Sequence, residues 1–257
     1  MQERDNGRRS GNPGGRGDAG VKASPEDYFD TGIETTSRRR SLIGAVVPEK
    51  VAYQECPPPP DCLELHPDEE RDLARSRTSA KRRQEFALGR WCARQAMVRL
   101  GRGHEPLLTG RSRAPIWPQG LIGSITHCED YCAAAVATTN DLVAIGIDAE
   151  RWGDVPCDIG AHIATPGECS LSNLCPSDTR NLAILFSAKE SLFKALNPLI
   201  GLFFDFQSVT LQVSTSSREF SIASTTLPEI VPYQHSLVGR FVITDQLVIT
   251  SASISAT

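Results

Sequence analysis

Asp148 and Glu150 stand two residues apart at the end of the apolar run Val143-Ala144-Ile145-Gly146-Ile147. On a β-strand, positions two apart project from the same face, so both carboxylates can reach one hard cation. A third carboxylate, Glu190, lies within residues 181–196 (NLAILFSAKESLFKAL), four residues ahead of Lys194. In a helix that spacing puts the acid and the lysine on one face. Three oxygen donors drawn from two elements suit Mg2+, which takes oxygen ligands, keeps water and commonly completes its shell with substrate phosphate. A plainer reading stands beside this one. In it, Asp-x-Glu closes a strand and Glu190–Lys194 is a surface ion pair worth about 0.2–0.5 kcal/mol.

A polyphosphate ligand also needs cations, and these are unevenly distributed. The net charge is -4, yet residues 71–113 carry twelve Lys or Arg against three acids. Such a segment in an acidic chain points to a polyanion (nucleic acid, nucleotide or phosphorylated cofactor), or else to a solvated basic helix face. All but one of the twelve are arginines, which favours bidentate phosphate recognition. Thr126 and His127 follow the run Leu121-Ile122-Gly123-Ser124-Ile125 in a polar loop, where an imidazole can contact phosphate or move a proton. Zinc on His127, Cys128 and Cys132 is disfavoured, because no second clustered set of ligands accompanies them.

The elements that must position these groups are legible as patterns. Leu182, Leu185, Leu192 and Leu196 form one helical stripe, with Asn197-Pro198 as the expected stop. A second helix is expected over 80–100, with Ser79 as its N-cap and Gly101 as its end. Its apolar back is Phe86, Ala93, Met97 and Leu100, and Arg82, Arg83, Arg90 and Arg94 lie on the flank or front. His66-Pro67-Asp68-Glu69-Glu70 reads as a helix start. Strands are expected at 41–47, 121–125, 132–138, 142–147, 208–213, 219–223, 240–244 and 246–250, with Asp245 at a hairpin turn. The resulting class is α+β: two pseudo-duplicated halves, 41–142 and 143–257, each a small, mostly antiparallel sheet packed with a long helix. The metal site falls in the second half. Residues 1–40 read as a disordered tail, and the four prolines at 57–60 as a stiff connector. Eight cysteines without a C-x-x-C suggest reduced, mostly buried thiols. No run of 18 apolar residues and no secretory signal is evident, so a cytoplasmic protein without a membrane partner is expected.

Three blocks together resemble the 4'-phosphopantetheinyl transferases of the Sfp type. They are Gly123-Ser124-Ile125-Thr126-His127-Cys128, Ile145-Gly146-Ile147-Asp148-Ala149-Glu150 and Phe186-Ser187-Ala188-Lys189-Glu190-Ser191-Leu192-Phe193-Lys194. The stretch Arg82 to Arg94 and the Trp117-Pro118 loop resemble the enterobactin synthetase component D branch. The resemblance spans about 65–206. It implies the fold of that family and a Mg2+-dependent transfer of 4'-phosphopantetheine from coenzyme A to a serine of an apo acyl or peptidyl carrier protein. Adenosine 3',5'-bisphosphate would be released, in a polyketide, nonribosomal peptide or siderophore pathway. It further implies Asp148, Glu150 and Glu190 as Mg2+ ligands, Glu190 also as general base, and Arg82 and Arg90 as coenzyme A contacts. Thr126 and His127 would meet the 3'-phosphate, and Lys189 and Lys194 the pyrophosphate, with Lys194 also serving catalysis. A monomer is the expected state. Phe186 replaces the family's Trp, and Thr109 stands where some relatives carry lysine, leaving Arg111 or Arg113 to substitute. The rival readings are another Mg2+-dependent nucleotide phosphotransferase or phosphodiesterase, and a basic nucleic-acid-binding module. The second lacks interleaved aromatics.

Overall fold

The computed structural model describes residues 41–56, 63–75, 78–103, 105–110, 113–172, 174 and 177–256. The expected tail, the tetraproline connector and Arg111 lie outside the described residues. In chain order the elements are β1 Ala52–Cys56, α1 Pro67–Ala74, α2 Ala80–Val98, β2 Leu121–Cys128, β3 Tyr131–Thr138, β4 Leu142–Arg151, α3 Gly160–Ile163, α4 Pro166–Ser172, α5 Thr179–Ile200, β5 Val209–Ser214, β6 Glu219–Thr225, β7 Leu237–Ile243 and β8 Leu247–Ser255. The strands form two antiparallel sheets, ordered β1-β3-β2 and β4-β8-β7-β6-β5. Helix α2 packs on the first and α5 on the second, so the architecture is α+β.

Alternation along β4 builds both faces of its surroundings. Ile145, Ile147 and Ala149 join Ala133, Ala135 and Ala137 of β3 in one apolar layer. The other register, which contains Ala144, Gly146, Asp148 and Glu150, turns toward α5. There Leu182, Leu185, Leu192 and Leu196 are each at most 1% exposed. β4 is an edge strand, and its outward N–H groups need acceptors. Ser124 and Thr126 of β2 supply them: the Ile147 N–H donates to Ser124 Oγ and the Ala149 N–H to Thr126 Oγ1, both at 3.0 Å. Side-chain hydroxyls thus stitch the two sheets where no backbone ladder joins them.

Each long helix is also anchored by a buried acid. Glu69 accepts from the N–H groups of His66 and Leu107 and pairs with Arg94 of α2 at 2.5 Å. Glu168 accepts from the N–H groups of Thr165 and Leu211 and pairs with Lys189 of α5 at 2.8 Å. Both acids are 0% exposed, and both stand in an x-Pro-x-Glu tetrad, His66-Pro67-Asp68-Glu69 and Thr165-Pro166-Gly167-Glu168. The same device occurs once on each long helix.

Three sequence expectations change. Residues 41–47 are not a strand: Ile43–Ala45 forms a 3-10 turn, because the Glu55 carboxylate accepts from the N–H groups of Leu42 and Ile43 and holds the apolar run folded over β1. Helix α5 does not stop at Asn197-Pro198. It runs to Ile200 and ends at Gly201, whose φ of 68° makes the left-handed cap. Proline is tolerated this near the end because only the Lys194 carbonyl loses its helical donor. His127 lies inside β2, paired across to Cys132, rather than in a loop beyond it.

Three of the twelve cations in the basic segment are paired at its own border. α1 places Asp68, Glu69 and Glu70 just ahead of it, and they pair with Arg71, Arg94 and Arg83. Among the described cysteines, Cys56, Cys92 and Cys132 are buried, Cys128 is half-buried, and Cys157 and Cys169 are exposed, so burial is less general than expected. Among the described residues, no helix is long and apolar enough to cross a membrane.

Candidate active site

The site starts from a glycine. A Cβ at Gly146 would fall 2.0 Å from the Ser191 carbonyl oxygen and 2.6 Å from the Ala195 nitrogen. The α5 backbone therefore rests directly on β4, two residues before Asp148. That contact brings Lys194 onto the Asp148 carboxylate, with Nζ 2.7 Å from Oδ1 and 3.2 Å from the Ile147 carbonyl. Thr126 Oγ1 lies 3.3 Å from the same Oδ1. Asp148 is only 4% exposed, and its other oxygen, Oδ2, is buried without a hydrogen-bond partner among the described residues. A carboxyl oxygen left bare in this way is costly unless a partner occupies its front.

The neighbouring acids respond to the same field. Burial pushes the Glu150 carboxyl up to about 8, helped by the Asp148 charge and opposed by Lys194, with Asp154 and Glu190 adding smaller repulsions. Burial also raises Glu190, with Lys194 opposing and Asp148 adding. Cys128 is pushed up to about 12 by burial and by Glu150 and Asp148. His127 keeps an exposed edge. Packing around the rest of its ring holds the imidazole below its ordinary range; Glu85 and Asp148 pull it up, and Arg82 and Lys194 push it down. Asp148 and Lys194 thus act on Glu150, Glu190 and His127, and Arg82 acts on His127.

Among the described residues, no three His, Cys, Asp or Glu side chains form a ready-made metal cage. The cation on Asp148 here is Lys194. The donor set nonetheless suits a hard divalent ion: a bare buried carboxylate oxygen, and two more carboxyls whose ionisation is suppressed by burial and mutual repulsion, a penalty that a cation reverses.

Family models make the assignment. One described as "4'-phosphopantetheinyl transferase N-terminal domain" matches residues 68–137, and one described as "4'-phosphopantetheinyl transferase superfamily" matches residues 144–249. The 4'-phosphopantetheinyl transferase Svp of Streptomyces mobaraensis is 38% identical over 224 residues, 84% of this chain and 90% of that protein. The chain belongs to the 4'-phosphopantetheinyl transferase superfamily. Npt of Nocardia iowensis, another 4'-phosphopantetheinyl transferase, is 33% identical over 220 residues, 82% of this chain and 98% of Npt. Enterobactin synthase component D of Salmonella typhimurium is 33% identical over 134 residues, 48% of this chain and 51% of that protein. The protein is therefore a transferase of phosphopantetheine.

Within this transferase, three expected ligand contacts sit differently from the sequence reading. Lys189 is 2% exposed, and its ammonium is spent on Glu168 and on the carbonyls of Ile163 (2.8 Å) and Phe206 (2.6 Å). One residue along the helix is a rotation of about 100°, which turns Lys189 into the core while Glu190 faces a cleft. Thr126 is buried, its hydroxyl engaged by Asp148 and the Ala149 N–H. Arg90 is not on an exposed front. It is 5% exposed, stacked on Phe86 at 4.2 Å and donating to Thr109 Oγ1 at 3.3 Å, and burial lowers it to about 10. Its Nε has no hydrogen-bond partner among the described residues. Phe186 meets Phe206 edge-on, with ring centroids 5.5 Å apart. Glu168 and Ser124 were not legible as site supports. The repeated x-Pro-x-Glu tetrad is the signal that could have found the first.

Proposed function

We propose that this transferase moves 4'-phosphopantetheine from coenzyme A to a serine of an apo acyl or peptidyl carrier protein, with Mg2+ held by Asp148, Glu150 and Glu190. The observation that carries the reading is the bare, buried Asp148 Oδ2 flanked by two carboxyls of raised proton affinity and one lysine. Held by these three carboxylates, Mg2+ would supply positive charge to the substrate's phosphates. The chain's own groups do the rest. Lys194 brings its ammonium to the leaving bisphosphate. Glu190 takes the proton as the serine oxygen bonds to the phosphorus that carries pantetheine, and the bond from that phosphorus to the bridging oxygen breaks. Exposed Arg82 on α2 offers a cationic donor for the phosphates of coenzyme A.

The test is intact-mass measurement of an apo carrier incubated with the protein, coenzyme A and Mg2+. One added phosphopantetheine is expected, with adenosine 3',5'-bisphosphate formed only when carrier is present. No shift across several carriers with folded protein sinks the reading, and bisphosphate released without carrier favours the phosphodiesterase alternative.

The metal assignment predicts a pH signature independent of turnover. Because the Glu150 carboxyl is held above its ordinary range, the folded state binds more protons than the unfolded one between about pH 4.5 and 8. Metal-free stability therefore falls as pH rises through that window, by on the order of 1–2 kcal/mol once partial exposure is discounted. Mg2+ should raise the melting temperature more at pH 8 than at pH 6, since protons compete with it. Equal shifts at both pH values, followed by scanning fluorimetry against a chelated control, would remove this carboxylate set from the metal role.

A further inference from the structure

Glu190 lines a cleft of about 390 Å³ with Phe193 on the same helix, one wall formed by Ala161 and His162 and the other by residues 203–207. The two walls come from segments more than forty residues apart in sequence. The Lys189 ammonium, next to Glu190 in sequence, ties the two segments together: it donates to the carbonyl of Ile163, which follows His162 of the first wall, and to that of Phe206 in the second, and pairs with Glu168. Glu168 in turn holds the Thr165 N–H at 2.7 Å and the Leu211 N–H at 2.8 Å. Gln207 bridges the same walls through the carbonyls of Ala161 and Ala164.

We propose that the Glu168–Lys189 pair is a positioning device that sets the width of the cleft beside Glu190, and that Lys189 makes no contact with the donor substrate. Two observations carry this. The ammonium has three N–H donors and three protein acceptors, and at 2% exposure it offers nothing outward. Helix α2 holds the matching pair, Arg94 with Glu69, in the same x-Pro-x-Glu setting and far from the Asp148 carboxylates in sequence. A device that recurs where the metal-type acids are missing belongs to the scaffold. In the second half it acts on catalysis because its acceptors lie on the segments that form the cleft walls.

The inference rests on the transferase reading, and wild-type turnover on an apo carrier reports on that reading separately. Lys189→Met leaves Glu168 buried and unpaired, which destabilises the fold. The double variant Glu168→Gln/Lys189→Met removes both charges and should regain most of the lost melting temperature. In both, kcat is expected to fall about tenfold to a hundredfold, as for small misplacements of a reacting centre. The KM and the directly measured Kd for coenzyme A should stay within about twofold of wild type. A merely structural pair would restore kcat along with stability in the double variant, and that result overturns the proposal. So does a tenfold loss of coenzyme A affinity in either variant, which would return Lys189 to the pyrophosphate. If Lys189→Met does not fold, the double variant alone reads the same kcat-against-KM split.

Discussion

In Glu190→Gln, carrier modification falls by about 10²–10⁴-fold, the range for loss of a positioned general base, while the fold is kept. The amide is nearly isosteric, so packing in the cleft is preserved. What disappears is the proton acceptor and one oxygen of the proposed metal set. Removing this charge relieves the cost of burying it, which outweighs the lost attraction to Lys194, and also eases repulsion with Asp148 and Glu150, so the melting temperature of the metal-free variant should equal or exceed that of wild type. Activity lost with stability retained is the expected pair of results, read by intact mass over time and by thermal unfolding. Near-normal turnover would remove Glu190 from the base role.

Gly146→Ala is expected to abolish activity by a different route. The added Cβ meets the Ser191 carbonyl oxygen at 2.0 Å and the Ala195 nitrogen at 2.6 Å. Both are helix backbone atoms, and no side chain can swing aside. Helix α5 must lift from β4, which parts Lys194 from Asp148 and opens the interface lined by Leu192 and Ala195. Overpacking a tight core typically costs about 1–3 kcal/mol, and a backbone clash belongs at or above the top of that range. For a chain of this size that corresponds to a fall in melting temperature of about 5–10 °C. A thermal shift under 2 °C with full activity would mean that the helix seat is softer than the contact implies.

These two residues also show where sequence reading reaches its limit. The period-two spacing of Asp148 and Glu150 and the leucine stripe of α5 are local properties, and the structure keeps both: the acids share the β4 face toward α5, and Leu182, Leu185, Leu192 and Leu196 are buried. Ser79 caps α2 as its position suggests, accepting from the Arg82 N–H at 3.2 Å. These features follow from steric preferences and hydrogen-bond needs within a few residues of chain. The order and spacing of the three blocks likewise carried the family.

Tertiary structure alone decided which polar groups turn inward. Lys189 and Lys194 sit five residues apart on one helix, and no local rule says that the first is locked into Glu168 while the second reaches Asp148. Arg82 and Arg90 share a helix too, yet one is exposed and the other buried. Residues 41–47 look like a strand until Glu55, from β1, claims their N–H groups. In each case the partner comes from a distant part of the chain, and burying a charge is tolerable only where that partner stands ready. The patterned apolar faces were readable because burial of many side chains averages over neighbours. The paired charges were not, because each depends on a single non-local contact that packing alone creates.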